Sequence, residues 1–135
     1  NFLLSNMLKL FDKWIRMKQK LDRIQHRPPF VNEGDIWWFS LGENVGSEIG
    51  VKSDIFTRPA IVYRKLAAGF YLVVPTTSKT KMGNWYVPFK HQGRNMWACL
   101  HQVRTVDHRR LWSKIGRLDD EDYKSVQEGF RLLYL

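Results

Sequence analysis

The sequence predicts a mainly β chain with helices (α+β), a small barrel or half-barrel carrying one helix before it and one after it. Three observations lead there: five short runs rich in aromatic and β-branched residues, turn chemistry between successive runs, and helical periodicity confined to the two ends.

The first element is read from Leu3, Met7, Leu10, Trp14, Met17, Leu21 and Ile24, which alternate at spacings of four and three and so form one face of an amphipathic helix. Lys9, Lys13, Arg16, Lys20 and Arg23 fall largely off that stripe. Pro28 and Pro29 end the pattern, because proline disfavours helix at the residue before it. A helix packed on its own domain is preferred over one that meets a partner or a second copy. Residues 1–30 are thus expected to form a helix and a Pro-containing connector, and residues 31–135 the main domain.

The strand runs are Asp35–Leu41, Pro59–Leu66, Phe70–Pro75, Asn84–Lys90 and Met96–His101. Ala67-Ala68-Gly69 predicts a tight hairpin between the second and third, and His91-Gln92-Gly93-Arg94-Asn95 another between the fourth and fifth. Gly42 to Thr57 is a long connection with three glycines and little periodicity, the type of loop that is either functional or simply a surface excursion. Val106-Asp107-His108 to Trp112 predicts a short helix and Lys114–Leu118 a brief strand. Asp119-Asp120-Glu121-Asp122 then places acids at the positive end of a last helix whose apolar face is Tyr123, Val126, Phe130 and Leu133. Helix capping explains that acidic run better than a metal does.

A chain of 135 residues with 44% hydrophobic residues fits one domain with a filled core. Its net charge of +9 favours a polyanionic partner, although a solvated basic surface reads the same way. Cys99 is the single cysteine, which excludes an internal disulfide and fits a reducing cytoplasm, and its apolar neighbours suggest a buried strand. The start Phe2-Leu3-Leu4 is interrupted by Lys9, Asp12 and Lys13, so neither a signal peptide nor a membrane span is expected there. No spacing of His, Cys and carboxylates suggests a metal.

Four ordered groups of residues resemble the PemK/MazF family of type II toxin-antitoxin toxins. They are Glu33-Gly34-Asp35-Ile36-Trp37; Gly46-Ser47-Glu48 followed by Arg58-Pro59-Ala60-Ile61-Val62; Val74-Pro75-Thr76-Thr77-Ser78-Lys79; and Gln102-Val103-Arg104-Thr105-Val106-Asp107 with Lys114-Ile115-Gly116-Arg117-Leu118. The resemblance implies a CcdB/PemK-type barrel, like a Src-homology-three barrel, forming a homodimer with single-stranded RNA lying across both subunits. It implies an mRNA interferase, an endoribonuclease that uses neither metal nor cofactor: the 2′-hydroxyl attacks the adjacent phosphorus to leave a 2′,3′-cyclic phosphate and a 5′-hydroxyl. It also implies a cognate antitoxin as partner.

Arg58 matches the family arginine before the proline of the second strand, where a guanidinium holds phosphate oxygens as charge builds. Thr77 matches the family threonine after the third strand; alone, Thr76-Thr77-Ser78 reads as a polar turn. Ser47 and Glu48 are expected over the groove, with Thr76, Ser78 and Lys79 supporting RNA contact. His101 stands where many relatives carry an acid, so it is either an acid-base group or a strand-end histidine without that role. Trp85, with Tyr86 and Lys81 nearby, either stacks a base or fills the barrel. Cys99 stands where some relatives have arginine, and the segment between Ser47 and Arg58 is longer than in compact members. The alternative function is a non-catalytic toxin of the same fold that acts by binding, as a gyrase poison or an RNA-binding module.

Overall fold

The computed structural model describes residues 10–42, 44 and 56–135. In chain order the elements are α1 (Phe11–Asp22), β1 (Asp35–Ser40), β2 (Thr57–Ala67), β3 (Phe70–Thr77), β4 (Tyr86–His91), β5 (Arg94–Cys99), β6 (Arg104–Asp107), β7 (Leu111–Arg117) and α2 (Asp120–Tyr134). Short 3-10 turns at Leu100–Gln102 and His108–Arg110 precede β6 and β7. The mainly β chain with a helix at each end is thus observed.

All strand pairs are antiparallel, in the order β4-β5-β3-β2-β1-β7. Strand β3 gives the sheet its curl. Its first half, Phe70–Val73, pairs with β6, while Thr76 and Thr77 pair with Ala98 and Trp97 of β5 on the same edge. Pro75, at the handover, has no N–H to donate to either partner.

Strand alternation feeds two cores. Ile36, Ile61 and Val74 point to one face, where Val126 of α2 is buried with Tyr123, Phe130 and Leu133 packed around it. Trp37, Phe39, Val62 and Val73 point to the other, against Val106 of β6. This is period-two burial on both sides of one sheet. Both hairpins form as expected. Ala68-Gly69 turns β2 into β3, and Gln92-Gly93 turns β4 into β5 with both residues at positive φ, the conformation of a type I′ turn.

Helix α2 starts where the acidic run predicts. The Asp119 side chain accepts from the Asp122 N–H at 2.7 Å, with Asp120, Glu121 and Asp122 in the first turn. The tyrosine hydroxyls of Tyr123 and Tyr134 then donate to the carbonyls of Tyr63 and Leu100, at 2.8 and 2.7 Å.

The segment from Val106 to Trp112 corrects the expected short helix. Val106 is a strand residue opposite Tyr71, and only His108–Arg110 turn before β7 begins at Leu111 and absorbs the expected Lys114 strand. The Asp107 side chain accepts from the Arg109 N–H at 2.9 Å, which caps a turn too short to become a helix. The expected strand through His101 also stops early, at Cys99. Of the first helix, Phe11–Asp22 is observed; Leu3 and Met7 lie outside the described residues. It packs on its own chain, with Trp14, Leu21 and Met17 against Phe56. Among the described residues no helix is long and apolar enough to cross a membrane.

Candidate active site

A cleft of about 560 Å³ opens where β2 begins, β3 ends and the β4–β5 pair folds over. Arg58, Thr77, Ser78, Lys79 and His101 all line it, so residues 43 positions apart in sequence meet in one place.

Arg58 enters from the second residue of β2, opposite Phe39 of β1. Its Nη1 donates to the Thr76 carbonyl at 3.1 Å, which orients the guanidinium beside the end of β3. Burial lowers its pKa, and the neighbouring Cys99 offsets this in part. A guanidinium remains charged near neutrality, and partial exclusion of water strengthens its field in the cleft.

Thr76 and Thr77 separate sharply. Thr76 is 0% exposed and its hydroxyl donates to the Pro59 carbonyl at 2.9 Å, so it braces β3 against β2. Thr76 also lines the cleft, as its expected place among the RNA-contacting residues requires, with its hydroxyl engaged by the Pro59 carbonyl. Thr77 is 8% exposed and lines the cleft, its hydroxyl oxygen accepting from the Lys79 N–H at 3.2 Å. That bond turns the chain and leaves the Thr77 hydroxyl hydrogen for another acceptor.

His101 leaves β5 in the 3-10 turn after Cys99 and lies between two aromatic rings. Trp85 stacks on it at 4.9 Å between centroids, and Tyr86 meets it edge-on at 5.1 Å. Its Nδ1 is buried with no hydrogen-bond partner. Burial lowers its pKa first and the Lys81 charge lowers it further, with the Trp85 backbone opposing, so the neutral imidazole is favoured. Trp85 is 54% exposed, so it does not fill the barrel; it stands outside the cleft wall as a platform on His101.

Cys99 is buried and its thiol is pushed up to about 11, by burial above all, with Arg58 and Lys81 opposing. It is therefore a neutral thiol at the back of the cleft. Ser47 and Glu48 lie outside the described residues. Arg104 turns away from the cleft, its Nη1 donating to the Leu41 carbonyl at 2.9 Å.

Sequence reasoning missed the far end of the cleft, where His91, Gln92 and Arg94 of the second hairpin join the lining. The His91 ring rests on Gly116 of β7, and a Cβ there would collide with it. Gly116 was the one signal available, but nothing local pairs it with a histidine 25 positions earlier. Among the described residues no three His, Cys, Asp or Glu side chains converge as metal ligands would.

Residues 32–134 match the family described as PemK-like, MazF-like toxins of type II toxin-antitoxin systems. The chain belongs to this family. Endoribonuclease EndoA of Bacillus subtilis (strain 168) is 32% identical over 114 residues, covering 76% of this chain and 92% of that protein. Two solved structures share the fold. MazF from Deinococcus radiodurans aligns with a TM-score of 0.64 at 21% identity, over 81% of this chain and 99% of that one. A mycobacterial endoribonuclease, solved in complex with its cognate antitoxin, gives 0.61 at 9% identity, over 76% and 93%. The family match begins after α1, so the helix on Phe56 is outside the matched segment of this PemK-like toxin.

Proposed function

We propose that this toxin cleaves single-stranded RNA at the Arg58 cleft without a metal, and that its cognate antitoxin blocks the same cleft. The relatives' names support an endoribonuclease, and the cleft supports how it would work. The observation that carries the reading is the Arg58 guanidinium, tied to the Thr76 carbonyl beside Thr77 in a cleft whose lining, among the described residues, holds four cations and no carboxylate.

The chemistry follows from an internal nucleophile. His101, favoured as neutral imidazole, takes the proton of the 2′-hydroxyl as the 2′-oxygen bonds to phosphorus. Negative charge then grows on the non-bridging oxygens, where Arg58 and the Thr77 hydroxyl donate. The bond from phosphorus to the 5′-oxygen breaks and that oxygen gains a proton from solvent. The products are a 2′,3′-cyclic phosphate and a 5′-hydroxyl. Trp85, Ser78, Lys79 and Lys81 hold the flanking nucleotides, by stacking and by charge.

The same proposal takes residues 31–135 as the toxin domain, acting as a homodimer in the cytoplasm, the compartment that a single buried Cys99 fits. The test is a long unstructured RNA incubated with the protein in EDTA, followed by sequencing of the cleaved ends. Discrete fragments with cyclic phosphate ends are expected, and Arg58→Ala should cut them about 10²- to 10³-fold more slowly. Equal rates for Arg58→Ala and the parent protein would overturn the site assignment.

A further inference from the structure

The connection that leaves β1 and returns to β2 is pinned at its stem. The N–H groups of Leu41 and Gly42 both donate to the Phe56 carbonyl, at 3.0 and 3.3 Å. Phe56 itself adopts φ of +58°, a left-handed conformation that is strained for a bulky aromatic residue and persists only where the surroundings hold it. Thr57 pairs with Ser40 immediately afterwards, and Arg58 with Phe39. The strained residue thus stands two positions before the guanidinium of the cleft.

What packs on that residue is α1. The Trp14 indole meets the Phe56 ring at 5.4 Å between centroids, and Phe56 is 1% exposed in a cluster made with Trp14, Leu21 and Met17. On the other branch of the stem the same indole lies so close to Gly42, at φ of +92°, that any Cβ there would collide with it. One tryptophan therefore covers both branches. Its back is held from the far half of the chain: the Arg110 guanidinium lies 5.6 Å from the Trp14 ring and Nη1 of Arg110 donates to the Ser40 carbonyl at 3.1 Å. Arg104 secures Leu41 in the same way.

We infer that Trp14 is a positioning residue for catalysis: it clamps Gly42 to Phe56 and so fixes where β2 starts and where Arg58 points. The inference rests on Arg58 being the phosphate-binding group. Without the indole, Phe56 loses the packing that holds it left-handed, and relaxation of its backbone moves the Ser40–Thr57 and Phe39–Arg58 pairs. Transition-state contacts are sensitive to such shifts; a displacement of about 1 Å from a change far from the chemistry costs up to about 10²-fold.

The experiment is a double-mutant cycle on RNA cleavage, with circular dichroism establishing that each variant is folded. Trp14→Ala should lower kcat by about 10- to 100-fold with KM within about twofold, because ground-state binding uses the rest of the cleft. Trp14→Phe should recover most of the rate. In an Arg58→Lys background Trp14→Ala should add less than about threefold, since the group it positions is already compromised. Should Trp14→Ala not fold, Trp14→Leu, which keeps an apolar filler, carries the same expectations. Parent-like kcat in a folded Trp14 variant, or a loss of equal size in both backgrounds, overturns this inference alone. A parent-like rate for Arg58→Lys overturns the site reading and this inference with it.

Discussion

Arg58, Lys79, Lys81 and Arg94 line a cleft with no carboxylate among the described residues of its wall, whereas beside the N-terminal helix Arg109 meets a carboxylate and a carbonyl and Arg110 a carbonyl. Arg109 pairs with Asp107 at 2.9 Å and donates to the Ile24 carbonyl at 2.7 Å; Arg110 lies over Trp14 and donates to Ser40. The two histidine environments differ likewise. His101 has a buried ring nitrogen without a partner, while His108 and His26 face each other at 3.2 Å between Nε2 and Nδ1. A buried polar atom left unpaired costs stability, and such atoms concentrate where a fold serves chemistry. On the proposed reading the cleft receives an anion, while the helix seat stays closed.

Of the two histidine environments, removing the one in the cleft should have the larger effect. His101→Ala should lower kcat/KM about 10²-fold or more at neutral pH, the contribution of a positioned base. The pH profile of the parent protein sharpens this. Burial and then Lys81 lower the His101 pKa, so kcat/KM should rise with pH through a midpoint below the ordinary histidine value of about 6.5 and level off above it. His101→Ala should erase that limb. An unchanged limb in the variant would assign the proton transfer elsewhere.

A smaller effect probes the cause of the shift. Lys81→Ala removes a repelling charge and should move the midpoint up toward 6.5, without reaching it, because burial is the larger cause and stays. A midpoint that moves down would contradict the placement of Lys81 beside His101.

The same contrast explains what could be read from the sequence. The helix seat, the hairpins and the α2 cap depend on local rules: Trp14, Met17 and Leu21 at helical spacing, Gly69 and Gly93 at turns, Asp119 before an acidic first turn. The core alternation of Ile61 and Val62 is equally local. The errors fall where a distant partner decides. Val106 becomes a strand because Tyr71, 35 positions earlier, offers an edge. Thr76 and Thr77 look alike in sequence and both line the cleft, yet the Thr76 hydroxyl is taken by the Pro59 carbonyl, 17 positions earlier, while that of Thr77 accepts from the Lys79 N–H. Arg58 was legible only through family resemblance, and the link from Trp14 to its strand was not legible at all, since it runs through the left-handed Phe56.

The smallest predicted effect concerns the closed side. His108 is 4% exposed, its N–H donates to the Gly69 carbonyl at 2.7 Å, and its ring faces His26 from the connector, Asp107 from β6 and Arg109 within its own turn. Burial lowers its pKa, Asp107 opposes, and Arg109 and His26 add to the lowering. The folded state therefore binds the proton less readily than the unfolded chain, whose histidines titrate near about 6.5. Above that pH both states are neutral and the contribution of this site to stability is fully present. As pH falls below it the unfolded chain takes up a proton that the folded state declines, and stability drops by at most about 1.4 kcal/mol per pH unit until the folded pKa is reached. Urea melts between pH 8 and pH 5 measure this slope, and His108→Gln should flatten it. Because the His26 contact ties the connector of α1 to the turn before β7, amide exchange in Phe11–Asp22 should quicken over the same interval ahead of exchange in β2 and β3. Uniform quickening across helix and sheet would mean that the seat opens only when the whole domain unfolds, and the histidine pair would then be a core contact like any other.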